Sequence, residues 1–183
     1  MALTERLGAS LRTKLITLSP RLLRYANVLA GDRQSADALM RTACRKILDG
    51  AGAFPEGVAF DLWAFGELHR EWLGQLRSHN NPLSRGPADP ALFEAPGDPH
   101  SAQIADILAK LPPQQRSAVL LIYGEGFSYD EAGKILDTSP QSVIARVSRA
   151  LAAFVERADW LESVALSGAQ VEPLDQINRQ ASK

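Results

Sequence analysis

Apolar positions in the first eighty residues recur every three or four residues, the spacing that places them on one face of an α-helix. The pattern predicts four amphipathic helices, over about residues 3–18, 20–30, 35–48 and 58–78. The positions that define them are Leu3, Leu7, Leu11, Leu15, Leu18, Leu22, Leu23, Ala26, Leu29, Ala36, Leu39, Met40, Ala43, Ile47, Phe65, Leu68, Trp72 and Leu76. Ser19-Pro20 has the order of an N-cap and a first-turn proline, which predicts that one helix ends there and the next begins.

The four helices with their short connections predict one helical domain over residues 1–78. Residues 79–100 then contain five prolines and two glycines without apolar periodicity. This composition predicts a flexible, exposed linker. Helical spacing resumes and predicts a second domain over residues 101–166, followed by a polar tail, 167–183, that we expect to be frayed. The expected fold is therefore all-α, with two small helical domains joined by a flexible linker.

The most specific pattern lies in residues 126–154, GFSYDEAGKILDTSPQSVIARVSRALAAF. Ser128 and Glu131 have the spacing of a capping box and predict a helix over about residues 129–136. Asp137 tolerates the left-handed backbone of a tight turn, and Ser139-Pro140 again has the order of an N-cap and a first-turn proline. Together these signals predict a helix-turn-helix, with a plain helical hairpin as the alternative.

The second helix of this motif has an apolar face and an opposite face of small polar and basic residues. Val143, Val147, Ala150, Leu151 and Phe154 share the apolar face, at about 100° per residue. A helix-turn-helix uses the opposite face to reach base edges in the major groove. The candidate DNA-binding residues on or beside that face are Gln141, Ser142, Ala145, Arg146 and Arg149.

Charge and composition limit the possible function classes. The net charge is −1, and residues 101–155 hold five cations and five anions, so we expect weak DNA affinity for the chain alone. No apolar run is long enough for a membrane span, the first residues lack a signal-peptide pattern, and the single Cys44 cannot form an internal disulfide. We therefore expect a cytoplasmic protein.

Chemistry-bearing residues give no sign of an enzyme. The three histidines have no partners at metal-ligand spacing, and no catalytic triad, paired carboxylates or phosphate-binding loop stands out. We expect no catalytic residues, no metal, no cofactor and no small-molecule substrate. Cys44 lies on an amphipathic helix and is expected to be a small buried residue, and Trp63 and Trp72 are expected in the core.

The stretch LPPQQRSAVLLIYGEGFSYDEAGKILDTSPQSVIARVSRALAAF resembles region 4 of the extracytoplasmic-function (ECF) sigma factors. Its GFSYDEA wording is closest to alphaproteobacterial general stress response sigma factors and their related sigma-like domains. LSPRLLRYANVLAGDRQSADALM and DLWAFGELHREWLGQLR resemble region 2 more loosely. The resemblance implies a region 2-like first domain and a region 4-like second domain. It also implies DNA contacts for Arg70 and Arg77 in the fourth helix.

The first domain departs from the family pattern on its third helix. The family's acidic run there, which docks on RNA polymerase, is replaced by Asp37-Ala38-Leu39-Met40-Arg41-Thr42. Asp37, Arg41 and Arg45 form the expected docking face for polymerase or an anti-sigma factor. In the recognition helix, this chain has Ile144 where the family commonly has a lysine.

Three functional classes remain open at this point. The chain can be interpreted as an ECF sigma factor that binds core RNA polymerase and promoter DNA and initiates transcription, under control of an anti-sigma factor. Alternatively it is a sigma-factor mimic that binds an anti-sigma factor without directing transcription, although we expect no receiver domain in the 29 residues after Phe154. Other helix-turn-helix regulators form a third class.

Overall fold

The computed structural model describes residues 2–50, 54–78, 87–93 and 101–155. The described residues are helical with short turns and contain no β-strand. The expectation of an all-α fold is thus confirmed for them. Most of the predicted linker, with Leu83, and the predicted tail over residues 167–183 lie outside the described residues.

The first helix, α1 (Ala2–Ala30), runs through the position where the sequence predicts a break. Pro20 has no N–H, so the carbonyl of Ile16 loses the donor that an unbroken helix would supply. The Ser19 hydroxyl donates to that carbonyl at 2.7 Å. The prediction of two separate helices was therefore wrong. The Ser19 hydroxyl replaces the N–H that Pro20 lacks, so Ser19 continues the helix and does not act as the N-cap of a new one.

Helices α2 (Arg33–Asp49) and α3 (Phe60–Ser78) pack against α1. The Asp32 carboxylate caps α2 by accepting from the Ser35 N–H at 2.8 Å. Trp63 and Trp72 are buried, as expected. Cys44 is half-buried, and burial raises the pKa of its thiol, which favours the unreactive protonated form.

The second half begins with α4 (Ser101–Lys110) and α5 (Pro113–Val119). Arg116 is 1% exposed, and its Nη1 donates to the carbonyl of Ala109 at 2.9 Å, near the C-terminus of α4. Burial lowers the pKa of Arg116 to about 10, so it remains charged at neutral pH. Arg116 thus fixes the angle between α4 and α5.

A π-helical turn over Leu120–Gly124 ends α5, and α6 (Tyr129–Ile135) and α7 (Pro140–Val155) follow. In the π turn, the Glu125 N–H donates to the Leu120 carbonyl at 2.8 Å. Gly126 then has φ +75°, a conformation that glycine adopts without strain. The wider turn and the left-handed glycine turn the chain back toward α1 and α3.

Residues 87–93, inside the predicted linker, contact both halves of the chain. The Ala88 N–H donates to the Ala109 carbonyl at 2.8 Å, and the Asp89 N–H donates to the Gly31 carbonyl at 2.9 Å. Ala88 is buried, and Leu92 and Phe93 line a cavity of about 490 Å³ between α1 and α5. This part of the linker is therefore anchored by hydrogen bonds and apolar contacts.

The two halves share one hydrophobic core. Helix α5 packs on α1, and α6 packs on α3. Buried residues of the first half, such as Leu22, Phe65 and Leu68, lie in the same cluster as Leu121 and Val147 of the second. A smaller cluster joins α4 to the end of α7 through Ile107, Leu111, Ala150 and Phe154. The chain is therefore closed, with the helix-turn-helix packed against the first domain.

Candidate nucleic-acid interface

The first helix of the helix-turn-helix starts at the predicted capping box. The Glu131 N–H donates to the Ser128 Oγ at 3.2 Å, and the Ser128 N–H donates to Glu131 Oε2 at 2.9 Å. The Ser128 hydroxyl also donates to Glu131 Oε2, at 2.8 Å, and the two hydrogen bonds that the carboxylate accepts from the Ser128 N–H and hydroxyl lower its pKa. The prediction of α6 from this pair is confirmed.

The turn between α6 and α7 has the geometry that the sequence predicts. Asp137 has φ 49°, and the Thr138 N–H donates to the Gly133 carbonyl at 2.9 Å. A Cβ on Gly133 would lie 2.9 Å from the Thr138 carbonyl oxygen, closer than real side chains approach backbone. Ser139 caps α7 by accepting from the Ser142 N–H at 3.2 Å. Glycine at position 133 therefore allows the tight approach of the two helices.

Helix α7 buries the predicted apolar face. Val143, Val147, Ala150 and Phe154 are buried, and Leu151 packs at the edge of the core. The candidate DNA-binding residues lie on the other side: Gln141 and Arg149 are exposed, while Ser142, Ala145 and Arg146 are partly buried. The structure therefore brings these five candidates together on one helix, and their contact with DNA stays a prediction.

Arg146 lies toward the first domain, near a buried polar pair. The Tyr25 hydroxyl and His69 Nδ1 are 2.9 Å apart, and both side chains are buried. Burial first, and then the charge of Arg146 and of Arg70, lower the pKa of His69 to about 4. Burial raises the pKa of Tyr25 well above 10, against the opposing charge of Arg146. Arg146 is thus close enough to act electrostatically on α1 and α3.

The other two DNA-binding candidates lie on α3. Arg70 is exposed and forms an ion pair with Glu67 one turn earlier. Arg77 is exposed, and its Nε donates to the Leu73 carbonyl at 3.3 Å. Both side chains reach solvent and contact residues of their own helix. Their role in DNA binding also stays a prediction.

The predicted docking face on α2 is basic. Arg41 and Arg45 are one turn apart and exposed, and Asp37 is partly buried beside them. Neither arginine forms an ion pair within the part of the chain that the structure describes. The face can therefore attract an acidic partner surface.

Sequence analysis missed the residues that join the two halves, above all Arg21, Arg24 and Glu125. Arg21 Nε lies 2.6 Å from Glu125 Oε2, and Arg24 Nη2 lies 3.0 Å from Glu125 Oε1. The partners are more than 100 residues apart, so no local pattern links them. In the sequence, only the position of Arg21 and Arg24 beside the apolar face of α1 could have indicated this contact.

Neither a metal site nor a membrane span occurs among the described residues. Within them, no group of three or more histidine, cysteine, aspartate or glutamate side chains could hold a metal ion. None of the described helices combines the length and apolar character needed to cross a membrane.

Comparison with known proteins shows what the second domain is similar to. Residues 101–154 match the family model "Sigma-70, region 4". The chain is also 27% identical over 146 residues to the "ECF RNA polymerase sigma factor EcfG" of Rhodopseudomonas palustris, which covers 77% of this chain and 81% of that protein.

Solved structures extend the similarity to both halves. The sigma factor RpoE of Bartonella quintana, in complex with the anti-sigma factor NepR, has a TM-score of 0.68 and 25% identity. The match covers 79% of this chain and 94% of that one. PhyRSL from Sphingomonas sp. Fr1, also in complex with NepR, has a TM-score of 0.62 and 24% identity. The match covers 88% of this chain and 92% of that one, and at this identity it shows the fold alone. The resemblance to ECF sigma factors is confirmed.

Proposed function

We propose that this chain is an ECF-type sigma factor that binds core RNA polymerase and directs it to a promoter. The observation that carries the proposal is the helix-turn-helix of residues 128–155, which lies almost wholly inside the region 4 match. In this proposal α7 reads the −35 element through Gln141, Ser142, Ala145, Arg146 and Arg149. The first domain binds the −10 element through Arg70 and Arg77 on α3.

Electrostatics supports a function that depends on polymerase. The net charge of −1 and the balanced second domain leave few cations for phosphate contacts. A protein of this charge binds promoter DNA well only when a larger complex supplies further contacts. We propose that the chain acts in the cytoplasm, without catalytic chemistry of its own, and that domains 1–78 and 101–166 contact polymerase separately.

We further propose an anti-sigma factor as a partner. The similar RpoE and PhyRSL structures were both solved with the anti-sigma factor NepR. This likeness also keeps the second candidate function open, that of a mimic that binds an anti-sigma factor without directing transcription. The basic α2 face, with Arg41 and Arg45 exposed, is the specific observation that favours the mimic, because the resembled family is acidic there.

Reconstitution with core RNA polymerase tests the two functions against each other. The purified chain is incubated with core polymerase, recovered by pull-down, and then assayed for transcription from the promoter of a responsive gene. Polymerase binding together with specific initiation supports the sigma factor. Binding to an anti-sigma factor without polymerase binding would establish the mimic in its place.

Restoring acidic character to α2 is expected to strengthen polymerase binding. Ala38 and Arg41 are exposed and Thr42 is partly buried, so Ala38→Asp, Arg41→Gln and Thr42→Glu should fit without repacking. If acids at these positions meet basic polymerase groups, the triple variant should bind core polymerase roughly tenfold more tightly. Binding is measured by titration at two salt concentrations, because added charge contacts weaken in salt.

A variant with the same charge change elsewhere is the control. Arg12→Gln, Lys14→Gln and Thr17→Glu also lower the net charge by three and lie at exposed positions of α1. The control should leave polymerase affinity near that of the unchanged chain. Equal affinity of the α2 variant and the control would remove α2 from the polymerase interface.

A further inference from the structure

A carboxylate of the second domain is buried between two arginines of α1. The Glu125 side chain is fully buried, with Arg21 Nε 2.6 Å from Oε2 and Arg24 Nη2 3.0 Å from Oε1. Arg21 Nη2 also donates to the backbone carbonyl of Glu125 at 3.2 Å. A buried carboxylate is costly without cationic partners, so Glu125 is stable at this place only while α1 supplies them.

The same arginine lies beside two aromatic rings from different domains. The Arg21 guanidinium carbon is 5.5 Å from the centre of the Phe65 ring and 5.8 Å from that of Phe127. The two ring centres are 5.2 Å apart in an edge-to-face arrangement. Arg21, Arg24 and Phe65, which we call the clamp, thus hold both Glu125 and Phe127.

The backbone of the second domain presents these two side chains in the required spacing. The π turn ends with the Glu125 N–H bonded to the Leu120 carbonyl, and the Phe127 N–H donates to the Leu121 carbonyl at 2.9 Å. Gly126 between them has φ +75°. An acidic and an aromatic side chain two residues apart therefore enter the clamp as one preformed unit.

The clamp adjoins a buried polar pair, Tyr25 and His69, on which the charge of Arg146 acts. The Phe65 ring centre lies 5.3 Å from that of Tyr25, and Tyr25 pairs with His69, whose pKa the Arg146 charge helps to lower. While Glu125 and Phe127 occupy the clamp, α7 is held with Arg146 toward α1 and α3. Arg146 is then partly buried.

We propose that the clamp is a binding surface for an acidic–aromatic segment, that the chain's own Glu125–Phe127 occupies it in the free protein, and that this contact holds the recognition helix away from DNA. A partner that opens the chain must break the Glu125 contacts or offer its own carboxylate and aromatic group to the clamp. The DNA consequence rests on the proposed function, whereas the closed arrangement does not.

Distance measurements between the domains test the clamp directly. Spin labels are attached to Asp49→Cys in α2 and Ala152→Cys in α7, both exposed, in a Cys44→Ala background. The otherwise unchanged chain should give one narrow distance distribution. Glu125→Gln keeps the side-chain size but removes the charge that Arg21 and Arg24 share, and should shift the open-to-closed ratio about a hundredfold. The distribution should then broaden toward longer distances.

Glu56→Gln provides the control, because it removes one exposed carboxylate elsewhere in the first domain. It should leave the narrow distribution unchanged. Helix content by circular dichroism shows whether each variant is folded. If Glu125→Gln loses helix, Arg24→Gln is used, since Arg24 is 55% exposed and its removal leaves Arg21 on Glu125; it should give a smaller broadening.

The clamp is refuted if a folded Glu125→Gln or Arg24→Gln variant keeps the narrow distance distribution. It is also refuted if the otherwise unchanged chain already gives a broad one. Promoter-DNA affinity is measured on the same proteins by fluorescence anisotropy. Higher affinity on opening supports both the clamp and its effect on DNA binding. Broader distances without any gain in DNA affinity leave the closed arrangement standing and refute the withholding of α7 from DNA.

Discussion

Replacing Arg146 and Arg149 with alanine is expected to reduce promoter-directed transcription by roughly ten- to a hundredfold for each arginine that binds a base edge. Arg149 is exposed on α7, so its replacement should change the free energy of unfolding by no more than about 0.5 kcal/mol. Arg146 is partly buried in the closed chain, where its charge opposes protonation of His69. Its replacement can therefore affect both transcription and the packing of the two domains.

The single variants separate these two effects. Arg149→Ala should lower transcription without altering thermal unfolding, and Arg146→Ala should lower transcription and raise the pKa of His69. Arg12→Ala combined with Lys110→Ala removes the same charge from exposed sites outside α7 and is the control. Full transcription with the double variant would show that neither arginine contacts the promoter.

Features set by neighbours along the chain could be predicted from the sequence. The Ser128–Glu131 capping box, the left-handed Asp137 and the close packing at Gly133 each depend on residues within a few positions. The apolar face of α7 follows from helical spacing in the same way. Such local rules are sufficient to predict the helix-turn-helix without any tertiary contact.

Features that depend on distant partners could not be predicted. Ser19-Pro20 has the order of a helix start, yet the Ser19 hydroxyl satisfies the Ile16 carbonyl and α1 continues. No local pattern shows that Glu125 pairs with Arg21, 104 residues away. Likewise, periodicity places Arg146 on the polar side of α7 but does not show that α1 and α3 lie next to it.

The pH dependence of stability should be dominated by His69. Burial, with the charges of Arg146 and Arg70, lowers its pKa from 6.5 to about 4 in the folded chain. Between these values the unfolded chain binds a proton that the folded chain does not, so stability falls as pH decreases. The stabilisation is fully present above about pH 6.5, and its complete loss near pH 4 amounts to roughly 3 kcal/mol.

His69→Gln is the variant that isolates this effect, because glutamine is buried without titrating and can still form a hydrogen bond with the Tyr25 hydroxyl. The measurement is the free energy of unfolding in urea from pH 7.5 down to pH 4.5, where carboxylates affect both proteins alike. The unchanged chain should lose stability more steeply than the variant over this range. Parallel curves, or an imidazole that titrates near pH 6.5 by NMR, would mean that His69 is hydrated in the folded chain.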